Sequence, residues 1–312
     1  MKTGFLRIKR SFGGRRRGMV LLSVLLVSVF LVSASTGFAI FARRTSRRFD
    51  REQRLFTARM ASEIVLDAAK VILSLHKENY HSAADPLFAG RTFGFPDAGV
   101  AVTMRIEPLD DKIPLNKLLL PDGKTLRREL EEPWKAMWRA VEAEELQTLV
   151  LDFIDKDTEP RLGGAERPGF LNRQLLSVDE LRLVPGITPE IISGVLGRPG
   201  IESMATIWSS GKINLNVAPV EVLVLLEGID ARLAAEIVKV REERPFSSLS
   251  GLSAIPNFPS SAAPKLMNIA VFKSEWFRVS FEVLFEDGEI LDLHCILNGK
   301  PMSWNTVRWE EP

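Results

Sequence analysis

Apolar positions along this chain follow three different periods. From Met19 to Ala42 no charged residue occurs, and about 24 residues rising ~1.5 Å each make a helix of roughly 36 Å, enough for a hydrocarbon core about 30 Å thick. From Phe56 onward Met60, Ala61, Ile64, Val65, Ala68, Val71, Ile72 and Leu75 recur at steps of three and four, which predicts one buried helix face continuing the apolar run. A single helix from Met19 to Leu75 would measure on the order of 85 Å. Asn79 to Gly99 is rich in Gly, Pro, Asp and His and reads as loop. Strand-like alternation follows at Val100–Pro108 and again at Phe277, Val279, Phe281, Val283 and Phe285, with Asp287-Gly288 as the turn of a hairpin returning through Glu289–Leu297. Val307-Arg308-Trp309 adds a short last strand. The first strand lies far from the others in sequence, so a sheet joining them requires the middle to be an insertion.

That middle is helical. Trp134, Met137, Trp138 and Val141, then Leu146, Leu149, Val150 and Phe153, keep helical spacing, with Pro133 placed as for a first helical turn. Ser177–Glu190 and Val222–Ile237 each read as helix, Gly-Ile turn, helix, the form of a helix-hairpin-helix unit. Such hairpins grip nucleic-acid phosphates through backbone N–H groups, but Pro189 offers none, and Glu190 and Asp230 repel phosphate, so no nucleic-acid site is expected here. Lys112-Ile113-Pro114-Leu115-Asn116 and Lys212-Ile213-Asn214-Leu215-Asn216 echo each other across the helical region. They are expected to be neighbouring stalks from which that region hangs, with Asn116 and Asn216 as helix N-caps.

Charge refines the N-terminus. Lys2, Arg7, Lys9, Arg10, Arg15, Arg16 and Arg17 precede Gly18 with no acid among them, which keeps this end on the cytoplasmic side. The basic run Arg43-Arg44-Thr45-Ser46-Arg47-Arg48 reads as a helix turn whose long side chains reach the headgroups. A secretory signal cut after Ala39 and an uncleaved signal anchor are the competing readings. Over 312 residues, 41 Lys and Arg stand against 40 Asp and Glu, so without the leader the chain is net acidic and bulk charge gives no reason to expect nucleic acid. Cys295 is the one cysteine, which excludes an internal disulfide, and its strand neighbours Leu291, Leu293 and Leu297 mark it as core. Three histidines, His76, His81 and His294, supply little for catalysis, and no metalloprotease, nucleophile-elbow or phosphate-loop motif occurs. No enzymatic activity is expected.

One cluster carries candidate chemistry. Asp152, Asp155, Asp157 and Glu159 leave a helix together, and Gly163-Gly164 lets the chain fold back to bring Glu166 to them. These are hard oxygen ligands of the kind calcium takes, though not at EF-hand spacing. A solvated acidic loop partly neutralised by Lys156, Arg161 and Arg167 is the alternative.

Taken in order, these segments resemble the type II secretion (general secretion pathway) protein K family of minor pseudopilins. The resemblance rests on Gly18 before the Met19–Ala42 span, on Leu151–Asp157 through Gly164-Ala165-Glu166, on Lys212–Pro219, and on Arg241 with Pro245-Phe246. It implies cleavage after Gly18 by a prepilin peptidase and N-methylation of Met19. The implied fold is α+β, a long N-terminal transmembrane helix and a pilin-like antiparallel sheet domain interrupted by a large inserted helical domain. The expected division is a leader at 1–18, the transmembrane part of the helix at 19–42, the remaining helix, loop and first strand at 43–110, the helical insertion at 111–255, and closing strands at 256–312. The implied role is at the tip of the pseudopilus, helping to initiate and cap assembly for export of folded proteins. The implied partners are other minor pseudopilins, the major pseudopilin, the prepilin peptidase and the inner-membrane secretion platform. The chain would cross the inner membrane once, N-terminus cytoplasmic and folded domain periplasmic. Ser23 stands at the fifth mature position, where most pilins carry a glutamate. A minor pilin of a DNA-uptake or type IV pilus system, binding nucleic acid through the hairpins, is the alternative function.

Overall fold

The computed structural model describes residues 13–256 and 258–311. The leader positions Lys2, Arg7, Lys9 and Arg10 lie outside the described residues. Helices are α1 Gly13–Leu75, α2 Arg128–Ala140, α3 Gln147–Ile154, α4 Pro189–Ser193, α5 Ile201–Met204, α6 Val220–Leu223, α7 Ala231–Glu243 and α8 Ala262–Leu266. Strands are β1 Arg91–Phe95, β2 Val100–Pro108, β3 Ile113–Pro114, β4 Ala205–Thr206, β5 Ile213–Asn214, β6 Ala270–Val271, β7 Trp276–Phe285, β8 Ile290–Lys300 and β9 Ser303–Glu310. The chain divides into two compact units between Arg59 and Met60.

In the first unit, α1 contains the stretch long and apolar enough to cross a membrane. Leu21, Leu25, Phe30, Phe38 and Phe41 all stay exposed. Its hydroxyls satisfy themselves: Ser23 Oγ donates to the Met19 carbonyl at 2.8 Å and Thr36 Oγ1 to that of Val32 at 2.9 Å. A lipid-facing helix requires this, because nothing outside it can accept those protons.

In the second unit, the last turns of α1 are apolar on two faces. Ala61, Val65, Leu66, Ala69 and Leu73 are buried, while Trp304 Nε1 of β9 donates to Ser74 Oγ at 3.0 Å. Met60, Ile64, Val71 and Leu75 remain exposed, so the single buried face expected from the sequence is in fact divided. Leu66, Ala69 and Leu73 complete the inner face, and the other apolar residues form a second stripe of their own.

Five antiparallel strands form the sheet in the order β1-β2-β7-β8-β9. Strand β2 pairs along its full length with β7, Val102 opposite Val283 and Ile106 opposite Val279, although residues 109–275 intervene. Alternation places Val102, Met104, Phe277, Val279, Phe281, Val283, Leu293 and Cys295 in the core. Gly288, at φ 86°, turns the expected hairpin. The expected loop at Asn79–Gly99 hides an edge strand, β1, paired in register with β2. It was masked by Gly94 in its interior and by exposed Arg91 and Thr92, because an edge strand needs little apolar patterning. Strand β9 likewise extends beyond Val307–Trp309.

The inserted region has its own core, centred on Trp134, Met137, Trp138, Phe153, Leu115 and Leu223. Pro133 falls well inside α2 instead of in its first turn. The helix starts earlier, with Glu129 and Glu131 near its N-terminus and Arg139 in its last turn, favourable for the helix dipole.

The two echoed segments pair with other partners. Strand β3 runs parallel to β4, Ile113 beside Ala205, and β5 runs parallel to β6, Ile213 beside Ala270. The segments meet one step away, where the Asn214 N–H donates to the Asp110 carbonyl at 2.5 Å. Asn116 and Asn216 are not N-caps. Asn116 grips the backbone of Leu175 from both sides, its Nδ2 donating to the Leu175 carbonyl at 2.9 Å and its Oδ1 accepting the Leu175 N–H at 2.8 Å. Asn216 grips Phe246 in the same way, both bonds at 2.8 Å. Two residues beyond each gripped residue a serine, Ser177 or Ser248, precedes a six-residue 3-10 turn, Val178–Leu183 or Leu249–Ala254. Each turn is followed by Pro185 or Pro256. The insertion is therefore an internal structural repeat, and the Lys-Ile-x-Leu-Asn echo is its visible trace.

Asp110 fastens this insertion to the sheet. Its side chain is fully buried. Oδ1 accepts from Ser209 Oγ at 3.0 Å, Ser210 N at 2.6 Å and Ser210 Oγ at 2.8 Å, while Oδ2 accepts from the backbone N–H groups of Glu275 and Trp276 at 2.8 and 3.2 Å. Burial pushes its pKa upward, and those donors pull against the rise. Asp110→Ala orphans several buried donors at once, so we expect a loss of about 3 kcal/mol, roughly 6 to 12 °C in the melting midpoint of the full chain. Thermal unfolding followed by circular dichroism checks this, with Lys135→Ala on the exposed face of α2 as a neutral control.

A candidate metal centre in the acidic loop

Helix α3 ends at Ile154, and the chain then runs through Asp155–Glu166 before returning along the helix. Gly164 makes the return possible. A Cβ there would run into the Asp152 carboxylate, so the glycine-alanine-glutamate turn needs hydrogen at that position. Gly163, at φ 84°, supplies the left-handed bend beside it.

Only three of the five expected ligands gather. Asp152, fully buried, is occupied by Arg161, which reaches it with its backbone N–H at 3.2 Å and with Nη1 at 2.9 Å. The same Nη1 donates to Asp155 Oδ2 and Nη2 donates to the Lys124 carbonyl. Glu159 is exposed and stands apart. Asp155, Asp157 and Glu166 each bring one carboxylate oxygen within 4.8 Å of the others. The loop thus uses one arginine to brace its base and gathers three acids beyond it.

These acids leave unanswered charge. Asp155 Oδ1 and Glu166 Oε1 are buried without a hydrogen-bond partner, and so is Oδ1 of Asn172. Asn172 sits at φ 45° and donates through Nδ2 to the Asp157 carbonyl at 2.9 Å. Sequence reasoning passed over it; an asparagine between a glycine-rich turn and Leu175 gave no signal beyond turn propensity. Burial first, then the nearby Asp157 and Asp152 charges, pushes Asp155 up to about 6 despite Arg161. Burial and the same two acids raise Glu166 as well. Three buried oxygens without donors, in a field that resists ionisation, suit a hard cation better than a proton network.

A second titratable cluster lies outside the loop. His76 Nε2 lies 2.6 Å from Asp85 Oδ2, and His81 Nδ1 accepts the Ser274 N–H at 3.0 Å. Burial, helped by His76, lowers His81 to about 3. The two clusters oppose each other. Asp155, with a folded pKa above its ordinary value of 3.8, favours the metal-free fold fully below pH 3.8 and loses that contribution as pH rises through about 6. His81, depressed from 6.5, contributes stability above pH 6.5 that is lost as pH falls toward about 3. Only a difference measurement isolates the loop: in chelator, Asp155→Asn should remove a stabilisation that the parent chain gains between pH 7 and 5. Parallel melting curves across that range check it.

Comparisons with known proteins agree with this architecture. A family model described as a helix-hairpin-helix motif matches residues 209–268, which include α6, the Gly228-Ile229 turn and α7; the other expected hairpin, Ser177–Glu190, lies outside the match. Type II secretion system protein K of Pectobacterium carotovorum subsp. carotovorum is 24% identical over 307 residues, covering 88% of this chain and 90% of that protein. The protein of the same name from Dickeya chrysanthemi is 23% identical over 171 residues, 51% of this chain and 47% of that one. A chain in the crystal structure of the GspK-GspI-GspJ complex from the enterotoxigenic Escherichia coli type 2 secretion system has the same fold. Its TM-score is 0.64 at 17% identity, over 86% of this chain and 99% of that chain. With a near full-length relative, a matching fold, and an antiparallel sheet interrupted by a helical insertion behind an apolar N-terminal helix, the chain is similar over most of its length to the type II secretion system protein K proteins.

Proposed function

We propose that this chain is the tip subunit of a type II secretion pseudopilus, joining other minor pseudopilins to start assembly and ending growth beyond itself. The observation that carries the reading is the helix with two apolar faces. One face of the Met60–Leu75 segment covers its own sheet, and Met60, Ile64, Val71 and Leu75 stay exposed in a row at helical spacing. Helices of neighbouring filament subunits would cover that row. A solved relative crystallised with GspI and GspJ supports partners of that class. The major pseudopilin, the prepilin peptidase and the inner-membrane platform follow from the same reading.

Position 23 supports a terminal place in the filament. With its hydroxyl returned to Met19, Ser23 asks nothing of a neighbour, whereas a glutamate there would be an unanswered charge in lipid for a subunit with nothing above it. The leader, the apolar stretch and the folded second unit then imply one crossing of the inner membrane with the sheet and insertion in the periplasm. Processing after Gly18 gives a methylated Met19 as the first residue of the mature protein. N-terminal sequencing of the protein recovered from membranes checks this; a start at Ile40 would release the chain and end the filament reading. In cells making excess major pseudopilin, deletion of this chain should give longer filaments, and overproduction shorter ones, by electron microscopy.

The acidic loop fits calcium. Asp155, Asp157 and Glu166 would hold the ion, with the Asn172 amide oxygen beside them, and the ion would fix the loop against the core of the insertion. Calcium at millimolar concentration should raise the melting midpoint of the full chain, and Asp155→Asn with Glu166→Gln should abolish the shift. An unchanged midpoint in the parent chain would retire the metal.

A further inference from the structure

A separate cavity lies beside the start of the acidic loop. The segment Leu115–Gly123 and the start of the acidic loop enclose a half-open cavity of about 480 Å³, within the size range of ligand pockets. Its apolar lining includes Leu115, Leu120 and Ile154, and its charged lining is cationic: Lys117, Arg127 and Lys156. No carboxylate lines it among the described residues.

The stems of the two lysines pack against glycines. The Lys156 stem lies against Gly123, where a Cβ would approach its Cγ to 2.8 Å, and the Lys156 N–H donates to the Gly123 carbonyl at 3.0 Å. The Lys117 stem lies against Gly211, where a Cβ would meet its Cβ at 3.2 Å. Gly123 and Gly211 have φ values of 78° and 93°, so both positions demand glycine for conformation as well as space. Arg127 links the two walls, donating to the Lys117 carbonyl at 3.1 Å and the Gly211 carbonyl at 2.8 Å, and its charge is answered by Glu129 at 2.8 Å. Among the described residues neither lysine ammonium has such an answer. Asp155 and Asp157, the sequence neighbours of Lys156, gather with Glu166 instead.

We propose that this cavity binds the free C-terminal carboxylate of a partner polypeptide, with the last apolar side chain of that partner on the Leu115, Leu120 and Ile154 wall. Two ammoniums without a carboxylate partner among the described residues supply the charge complementarity, as point charges that need no particular carboxylate geometry. The apolar wall selects a terminus carrying an aliphatic or aromatic side chain over a bare anion. The mixed lining, which also includes Gln174 and Ser210, suits a peptide backbone better than a hydrocarbon tail.

The test uses the full chain in amphipol and a fluorescein-labelled peptide ending Gly-Phe-Leu with a free carboxylate, followed by anisotropy. Saturable binding is expected, weakened at least about tenfold by amidating the terminus, and by a similar factor in Lys117→Glu/Lys156→Glu. Both lysines are exposed, so an unchanged melting midpoint shows that the variant is folded; Lys117→Gln/Lys156→Gln gives a second reading without reversed charge. Equal binding of the amide, unchanged affinity in the folded variants, or absence of saturation at millimolar peptide would overturn the proposal. Displacement by inorganic phosphate or hexanoate more readily than by unlabelled peptide would overturn it too, in favour of a plain anion or a lipid.

Discussion

A single buried carboxylate joins the two halves of the folded unit. Asp110 lies shortly after β2, and the groups that bind its carboxylate come from Ser209 and Ser210, just ahead of the second stalk, and from the entry to β7. A buried charge without partners would be costly, and its five donors convert that cost into a constraint on geometry. Each donor left unpaired would itself be destabilising, so neither the stalks nor β7 can shift alone. Asn214 strengthens the same junction, its N–H on the Asp110 carbonyl and its Nδ2 on both the His81 carbonyl and Ser274 Oγ. A sheet interrupted by residues 109–275 can in this way keep full β2–β7 register.

Beyond that junction the insertion is built twice from one plan: a Lys-Ile-x-Leu-Asn strand, a side-chain grip on a remote backbone, a 3-10 turn, and a parallel return strand. The two copies differ in what lies between the asparagine and the residue it grips. In the second copy the distance is 30 residues, occupied by α6 and α7; in the first it is 59, and the excess contains the acidic loop. Arg241 explains a motif of the second copy, since its half-buried guanidinium donates to the Leu215 and Ala218 carbonyls at 2.7 and 2.6 Å. Lys212–Pro219, Arg241 and Phe246 are thus one hydrogen-bonded assembly. The acidic loop and the lysine-lined cavity both belong to the first copy, the one that has room for them.

Patterning was legible wherever one period ruled an element. The apolar stretch, the long helix, the β7–β8 hairpin and the buried Cys295 could all be read directly, and the separation of β2 from β7 required an insertion. Other features escaped for identifiable reasons. Strand β1 is an edge with little to bury, so its alternation was faint. The helix after Met60 carries apolar residues on both faces, and periodicity alone does not say which face meets the protein. Asn116 and Asn216 have the composition of caps, but their partners, Leu175 and Phe246, are fixed by tertiary structure. In the loop, the acids were visible and their grouping was not: Arg161 takes Asp152, Glu159 stays in solvent, and Asn172 joins from outside the acidic run.

Through Asp110 the helical insertion and the sheet are held as one piece, so that a subunit with this insertion presents it in a fixed orientation. Hydrogen exchange by mass spectrometry on the full-length Asp110→Ala chain tests this most directly. Loss of protection should appear together at Ser210, Asn214, Glu275 and Trp276, while the β7–β8 amides and the helices of the insertion keep theirs. Faster exchange confined to Ser210, with Glu275 and Trp276 unchanged, would contradict it.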